Sequence, residues 1–151
     1  MSQTKSVRRE AAVLIVEDHA PMREAIRACI EGSFPGLSVI EAPDGATALT
    51  AVEAHNPALV LIDINLPDAN GIDLTRDIVK QWPGMFVAVL SIETGADLPE
   101  RVRAAGAVEF ISKDTLFNTL LPLVGAAVTL TNWMKEIESH GANTDQSPLY
   151  G

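Results

Sequence analysis

Short apolar runs alternate along this chain with segments in which apolar residues recur every three or four positions. The runs lie at residues 12–16, 37–40, 58–62, 86–90 and 108–111, and each is followed at once by a polar or charged residue. The runs at 12–16 and 58–62 are apolar throughout, as is typical of strands buried on both faces, whereas those at 37–40 and 108–111 include Ser38 and Glu109. The pattern predicts five strands in all.

The segments between the runs predict five helices. Pro21 and Pro99 favour a first helical turn, and Asp44 opens the second helix. The last helix is expected from about 115 to 139, with Pro122 either kinking it or marking a later start. Five strands interleaved with five helices predict an α/β three-layer sandwich around a five-stranded parallel sheet, with right-handed crossovers.

Length and composition indicate one packed domain. The 151 residues are 47% apolar and 21% charged, which is typical of a globular protein. We expect a flexible N-terminus at 1–11, the folded domain at 12–139, and a tail or the start of a linker at 140–151. The single cysteine, Cys29, excludes an internal disulfide and favours a reducing compartment.

The net charge of the chain limits the kinds of partner that it can bind. Eleven Lys and Arg against twenty Asp and Glu give a net charge of −9, which disfavours direct contact with nucleic acid or an anionic membrane. The most apolar stretch, at 116–130, is shorter than the roughly 20 residues of a membrane-spanning helix. The first ten residues contain no secretion signal, so the expected location is the cytoplasm and no membrane association is expected.

Chemically active side chains follow four of the predicted strands: Glu17, Asp18, Asp63, Ser91 and Lys113. In open α/β sheets the ligand site lies at the carboxyl ends of the strands. Taken singly, Asp18 could cap a helix, Asp63 could form a turn and Lys113 could be a solvated cation. Together, three carboxylates at one edge require a cation, and oxygen ligands in a partly solvated site favour Mg²⁺.

A carboxylate beside Mg²⁺ is a competent nucleophile toward phosphorus, since the metal neutralises the phosphoryl oxygens. A lysine and a hydroxyl across the site can hold the remaining phosphoryl oxygens. The residues therefore predict an aspartyl phosphate at Asp63.

Residues from 13 to about 128 resemble the receiver domain of bacterial two-component response regulators. The resemblance is carried by VLIVEDH for the acidic pair, LVLIDINLPDANGIDL for the phosphoacceptor, VAVLS for the hydroxyl and AVEFISKD for the lysine. It is closest to receivers that precede a LuxR/NarL-type helix-turn-helix domain. The resemblance implies a flavodoxin-like (βα)5 fold with strand order 2-1-3-4-5.

The resemblance also implies roles for the residues at the strand ends. Asp63 would be phosphorylated by a histidine kinase or a phosphotransfer protein. Asp18 would bind Mg²⁺ directly, Glu17 would act through water, and the backbone carbonyl of Asn65 would complete the protein ligands, with Asp63 itself.

Two further residues, Lys113 and Ser91, would grip the phosphoryl group on the same resemblance. Ser91 and Phe110 would form the switch that carries the signal to the face made by helix 4, strand 5 and helix 5. The chain would then be a signalling receiver and not an enzyme acting on other substrates.

Two other functions are weighed against this reading. A Mg²⁺-dependent phosphatase with an aspartyl intermediate would need a second Asp two residues after the nucleophile, where this chain has Asn65, and an amide cannot shuttle the proton. A pseudo-receiver that only binds a partner is disfavoured by the intact set of Asp18, Asp63, Ser91 and Lys113.

The last helix carries more apolar residues than one buried stripe uses, including Leu130, Trp133, Met134 and Ile137. Plain packing against the sheet and an interface for a homodimer or effector both remain open. Whether the chain is a stand-alone receiver or the front part of a longer regulator also stays open.

Overall fold

The computed structural model describes residues 11–93 and 95–141, with side chains up to residue 139. The N-terminal segment predicted at 1–11 and the tail at 140–151 therefore lie almost wholly outside the described residues. The elements are β1 (Ala12–Val16), α1 (Ala20–Ser33), β2 (Ser38–Ala42), α2 (Gly45–His55), β3 (Leu59–Asp63), α3 (Gly71–Gln81), β4 (Val87–Ser91), α4 (Leu98–Ala104), β5 (Glu109–Ser112), a 3-10 turn (Lys113–Thr115) and α5 (Leu116–Gly141).

The five strands form one parallel sheet in the order β2-β1-β3-β4-β5, which confirms the predicted fold class. Three strands end one residue later than their apolar runs. Asp63 pairs with Leu90, and Ser91 pairs with Ser112, so the hydrogen-bonded ladder continues into the polar residues. Asp63 and Ser91 are thus held by the sheet itself.

Two apolar layers enclose the sheet. Side chains on one face, including Leu14, Val60 and Val89, pack under α2, α3 and α4. Alternate residues of the same strands, including Ile15 and Leu61, face α1 and α5. The central strands are buried on both sides, which explains their continuous apolar runs.

Polar side chains fix the starts of three helices. The Nδ1 atom of His19 accepts a hydrogen bond from the Met22 N–H at 3.3 Å, so the residue that caps α1 is His19 and not Asp18. Asp44 caps α2 and Asn70 caps α3 in the same way. Helix α4 begins at Leu98 with Pro99 in its first turn, as predicted.

Helix α5 begins at Leu116, one residue from the predicted start, and continues past Pro122, so the alternative of a later start at Pro122 is wrong. Leu116, Leu120 and Val124 are fully buried on either side of the proline, and this burial offsets the backbone hydrogen bond that proline removes. By length and composition alone, the helix at Lys113–Ser139 is also apolar enough to cross a membrane. A core helix passes the same test, and these three side chains pack against the sheet.

Candidate functional site

The carboxyl ends of the strands bring the predicted residues together. Glu17 directly follows β1, Asp63 ends β3, Ser91 ends β4 and Lys113 directly follows β5. Oxygen atoms of Glu17, Asp18 and Asp63 all lie within 4.8 Å of one another. The parallel topology thus brings residues that are far apart in sequence together in one acidic cluster.

Glu17 and Lys113 form a buried ion pair inside this cluster. The Nζ atom of Lys113 donates to Oε1 of Glu17 at 2.8 Å, and the Glu17 side chain is only 1% exposed. Oε2 of Glu17 accepts from the backbone N–H of His19 at 3.2 Å. The same Nζ atom lies 3.5 Å from Oδ1 of Asp63, so one ammonium faces two carboxylates.

The surroundings of Asp63 disfavour the charged form of its side chain. The pKa of Asp63 is raised to about 6, first by burial and then by the neighbouring Glu17 carboxylate, while Lys113 acts in the opposite direction. An additional cation at the cluster would favour the charged form and oppose the same two causes.

The cluster fits a hard divalent cation. Its donor atoms are all carboxylate oxygens, and Asp18 is exposed while Glu17 and Asp63 are buried. Mg²⁺ prefers one or two carboxylates and keeps several waters, which a half-open site of this kind allows. The residues present therefore suit Mg²⁺, and Asp18 is the carboxylate nearest solvent.

The loop between β3 and α3 is tightly folded behind Asp63. The backbone N–H of Asn65 donates to Oδ1 of Asp63 at 3.4 Å. Gly71 donates to the Ile64 carbonyl at 2.7 Å, and a Cβ at Gly71 would lie 2.4 Å from the Asp63 carbonyl oxygen. Only glycine fits there, because the start of α3 lies directly on the backbone of the candidate nucleophile.

Ser91 is fully buried beside this loop. Its Oγ accepts a hydrogen bond from the Glu93 N–H at 2.8 Å. The Glu93 carboxylate in turn accepts from the Asn65 side-chain amide at 3.4 Å, which connects the loop after β4 with the loop after β3. Phe110, the other predicted switch residue, is half-buried and packs against the core layer beneath α4.

Sequence reasoning missed Asp68. Its carboxylate accepts hydrogen bonds from the N–H groups of Gly45 and Ala46 at 2.8 and 3.1 Å, so it fastens the β3–α3 loop to the start of α2. Twenty-three residues separate Asp68 from Gly45, and no local pattern reports such a contact. Gly71 was missed as well, although a glycine directly after Asn70 at a predicted helix start was a usable signal.

Comparisons with known proteins agree with this geometry. Residues 13–124 match the profile described as response regulator receiver domain. The transcriptional regulatory protein DegU of Brevibacillus brevis is 31% identical over 112 residues, which make up 74% of this chain and 48% of DegU. The KDP operon transcriptional regulatory protein KdpE of Escherichia coli strain K12 is 36% identical over 137 residues, or 91% of this chain and 56% of KdpE.

Among solved structures, a two-component response regulator of the LuxR family from Aurantimonas sp. SI85-9A1 is similar, with a TM-score of 0.72 at 27% identity. The match covers 80% of this chain and 86% of that one. The chain spans about half the length of the two curated relatives named above.

Proposed function

Because this chain belongs to the response regulator receiver domain family, we propose that Asp63 accepts a phosphoryl group from a histidine kinase or a phosphotransfer protein. Asp63 ends a central strand and lies within reach of the Lys113 ammonium. It is the buried carboxylate whose backbone is fixed by both the sheet and Gly71. Its position supports the role of nucleophile.

Mg²⁺ would be held by Asp18 and Asp63 directly, by Glu17 through water, and by the Asn65 backbone carbonyl. When bound, it supplies charge neutralisation for the phosphoryl oxygens and alignment for in-line attack. Support comes from the cluster of three carboxylates, whose oxygens lie within 4.8 Å of one another.

In the transfer step, a carboxylate oxygen of Asp63 attacks phosphorus, and the phosphorus–nitrogen bond to the donor histidine breaks. The bonding electrons return to the imidazole nitrogen, which takes up a proton, and Asp63 is left as a mixed anhydride. The Lys113 ammonium, 3.5 Å from the attacking carboxylate, would stabilise charge on the phosphoryl group. The Ser91 hydroxyl would donate to a second phosphoryl oxygen.

Ser91 and Phe110 would transmit the conformational change that follows phosphorylation. Movement of the Ser91 hydroxyl toward the phosphoryl group would change the hydrogen bond that it accepts from Glu93. Phe110 lies one strand away and packs beneath α4, so its rotation would alter the face formed by α4, β5 and α5. The receiver would thus act by protein contact in the cytoplasm, with no turnover of other substrates.

The convergence of Glu17, Asp18, Asp63 and Lys113 on one point carries this proposal. The test is incubation with acetyl phosphate and Mg²⁺, followed by intact mass spectrometry. We expect a gain of one phosphoryl group that disappears in the Asp63→Asn variant and persists in Asp77→Asn, which replaces an exposed aspartate on α3.

The same experiment separates the alternatives. No mass gain in the folded protein would contradict the proposal and favour an interaction module without phosphorylation. Multiple turnover of phosphate esters, abolished by Asp63→Asn, would instead favour a phosphatase.

A further inference from the structure

Helix α5 carries two apolar stripes, of which the sheet covers only one. The covered stripe consists of Leu116, Leu120, Val124 and Ala127, all buried. Beyond the sheet it continues into Thr131, Lys135 and Glu138, which line a cavity of about 550 Å³ together with residues from the loops at the opposite end from Asp63. This stripe therefore faces the body of the domain along the described length of α5.

The second stripe faces solvent. It consists of Leu123, Ala126, Leu130, Trp133 and Ile137, which follow each other at steps of three, four, three and four residues. Leu123 is half-buried and packs against the core layer that faces α1 and α5, whereas the other four residues are exposed. Leu130 is 44% exposed, Trp133 57% and Ile137 48%. A strict three-four spacing forms the narrow seam that receives one other helix, as in a two-stranded coiled coil.

The distribution of charge along α5 indicates which kind of helix fits against the second stripe. The chain has a net charge of −9, yet residues 115–134 contain no charged side chain. Two copies can therefore meet along this segment without like-charge contacts, and only the last residue of the stripe, Ile137, lies between charged residues, Glu136 and Glu138. A helix that lies on a membrane carries flanking Lys and Arg, and here Lys135 is the single basic residue between 114 and 139.

We propose that the stripe from Leu123 to Ile137, here called the α5 seam, pairs with the α5 seam of a second copy in parallel orientation. At 3.6 residues per turn, the seam lies about a quarter turn from the stripe that faces the body. A two-fold axis along paired parallel helices then places the two bodies on opposite sides. Antiparallel pairing would place both bodies on the same side, where they would collide.

The exposed area sets the strength of the pairing. Leu130, Trp133 and Ile137 together expose on the order of 300 Å² per copy. A standard interface buries about 800 Å² per partner. Because the exposed area is well below this value, the α5 seam alone should give a weak, reversible dimer, and it should do so independently of any chemistry at Asp63.

The test is sedimentation equilibrium of the full chain over a range of concentrations. We expect the mass to rise from monomer to dimer, and Trp133→Glu with Ile137→Glu to weaken the dimer by about tenfold or more. The matched control is Asn132→Glu with Ser139→Glu, which adds the same charge to the same turns outside the seam. Circular dichroism checks that α5 is intact in both double variants.

Cross-linking tests the orientation. In a Cys29→Ser background, Ala126→Cys should form an intermolecular disulfide, because residue 126 faces its own copy in a parallel seam, whereas Asn132→Cys should not. A monomer at all concentrations, equal loss in the control variant, or failure of Ala126→Cys to cross-link in the dimer would overturn the proposal. So would preferential binding of the monomer to anionic phospholipid vesicles, which would assign the seam to a membrane.

Discussion

Asp63 shows how strongly one residue depends on its surroundings. Its pKa of about 6 arises first from burial and then from Glu17, while Lys113 acts in the opposite direction. The Lys113 ammonium lies 3.5 Å from the Asp63 carboxylate and favours its charged form. The repulsion between Glu17 and Asp63 would therefore be relieved by a cation beside them, and the Lys113 ammonium would stabilise a phosphoryl group on Asp63.

Asp63→Asn should change the pH dependence of folding stability. Between about pH 4 and 6 the folded protein holds a proton on Asp63 that the unfolded chain has released, so wild-type stability falls as pH rises through this window. Asparagine does not titrate. The free energy of unfolding of Asp63→Asn should therefore rise by about 2 kcal/mol relative to that of the wild type between pH 4 and 7.

The measurement is urea unfolding at several pH values without divalent cations. Asp77→Asn serves as the control, since Asp77 is exposed on α3. A stability difference between Asp63→Asn and wild type that stays constant from pH 4 to 7 would contradict the assignment of the pKa.

At the scale of elements, the loop after β3 is held at two points. Gly71 seats the start of α3 on the Asp63 carbonyl, and Asp68 fastens the middle of the loop to the start of α2. Carboxylates at helix N-termini are stabilising because they accept from unpaired N–H groups and face the positive end of the helix dipole. These contacts hold the loop that contains Asn65.

Gly71→Ala should destabilise the domain, whereas Gly32→Ala should not. The added Cβ at Gly71 would lie 2.4 Å from a backbone oxygen, and no flexible group can yield there. Shifts of this kind cost about 1–3 kcal/mol. Gly32 has no atom within 4 Å of the added Cβ and lies within α1, so alanine should raise stability by up to about 1 kcal/mol. Thermal unfolding of both variants checks the contrast, and equal effects would contradict it.

Asp68→Ala should loosen the start of α2 and the loop between β3 and α3 together. Loss of the two hydrogen bonds should cost about 1–2 kcal/mol in urea unfolding, while Asp77→Ala should cost less. Hydrogen exchange should become faster at the N–H groups of Gly45 and Ala46. Unchanged exchange at those two sites would show that the carboxylate does not hold α2.

The elements and the main site were predictable because each depends on local pattern plus one topological rule. Apolar runs located the strands, and the rule for strand ends in a parallel sheet brought Asp63 and Lys113 together. The contacts of Asp68 and the close approach at Gly71 were not predicted, since they depend on how separate loops meet in space. The start of α5 near residue 115 was predicted, whereas the alternative of a later start at Pro122 was wrong because burial outweighs a local helix breaker.

For the whole molecule, charge and stability are linked through the acidic cluster. A chain with a net charge of −9 already repels itself, and three carboxylates at one sheet edge concentrate that repulsion. Lys113 offsets part of it. A divalent cation that binds only the folded cluster would offset more and would shift the folding equilibrium by mass action.

Millimolar Mg²⁺ should therefore raise the unfolding temperature at pH 7.5, and the gain should shrink as pH falls below about 6, where Asp63 becomes protonated. At a concentration one hundred times Kd the gain corresponds to about 2.7 kcal/mol. A monovalent salt at equal ionic strength is the control for general screening. Asp18→Asn should remove most of the gain and leave the fold intact, because Asp18 is exposed. If Asp18→Asn keeps the full gain, or if the monovalent salt matches Mg²⁺, the stabilisation does not come from a cation at this cluster.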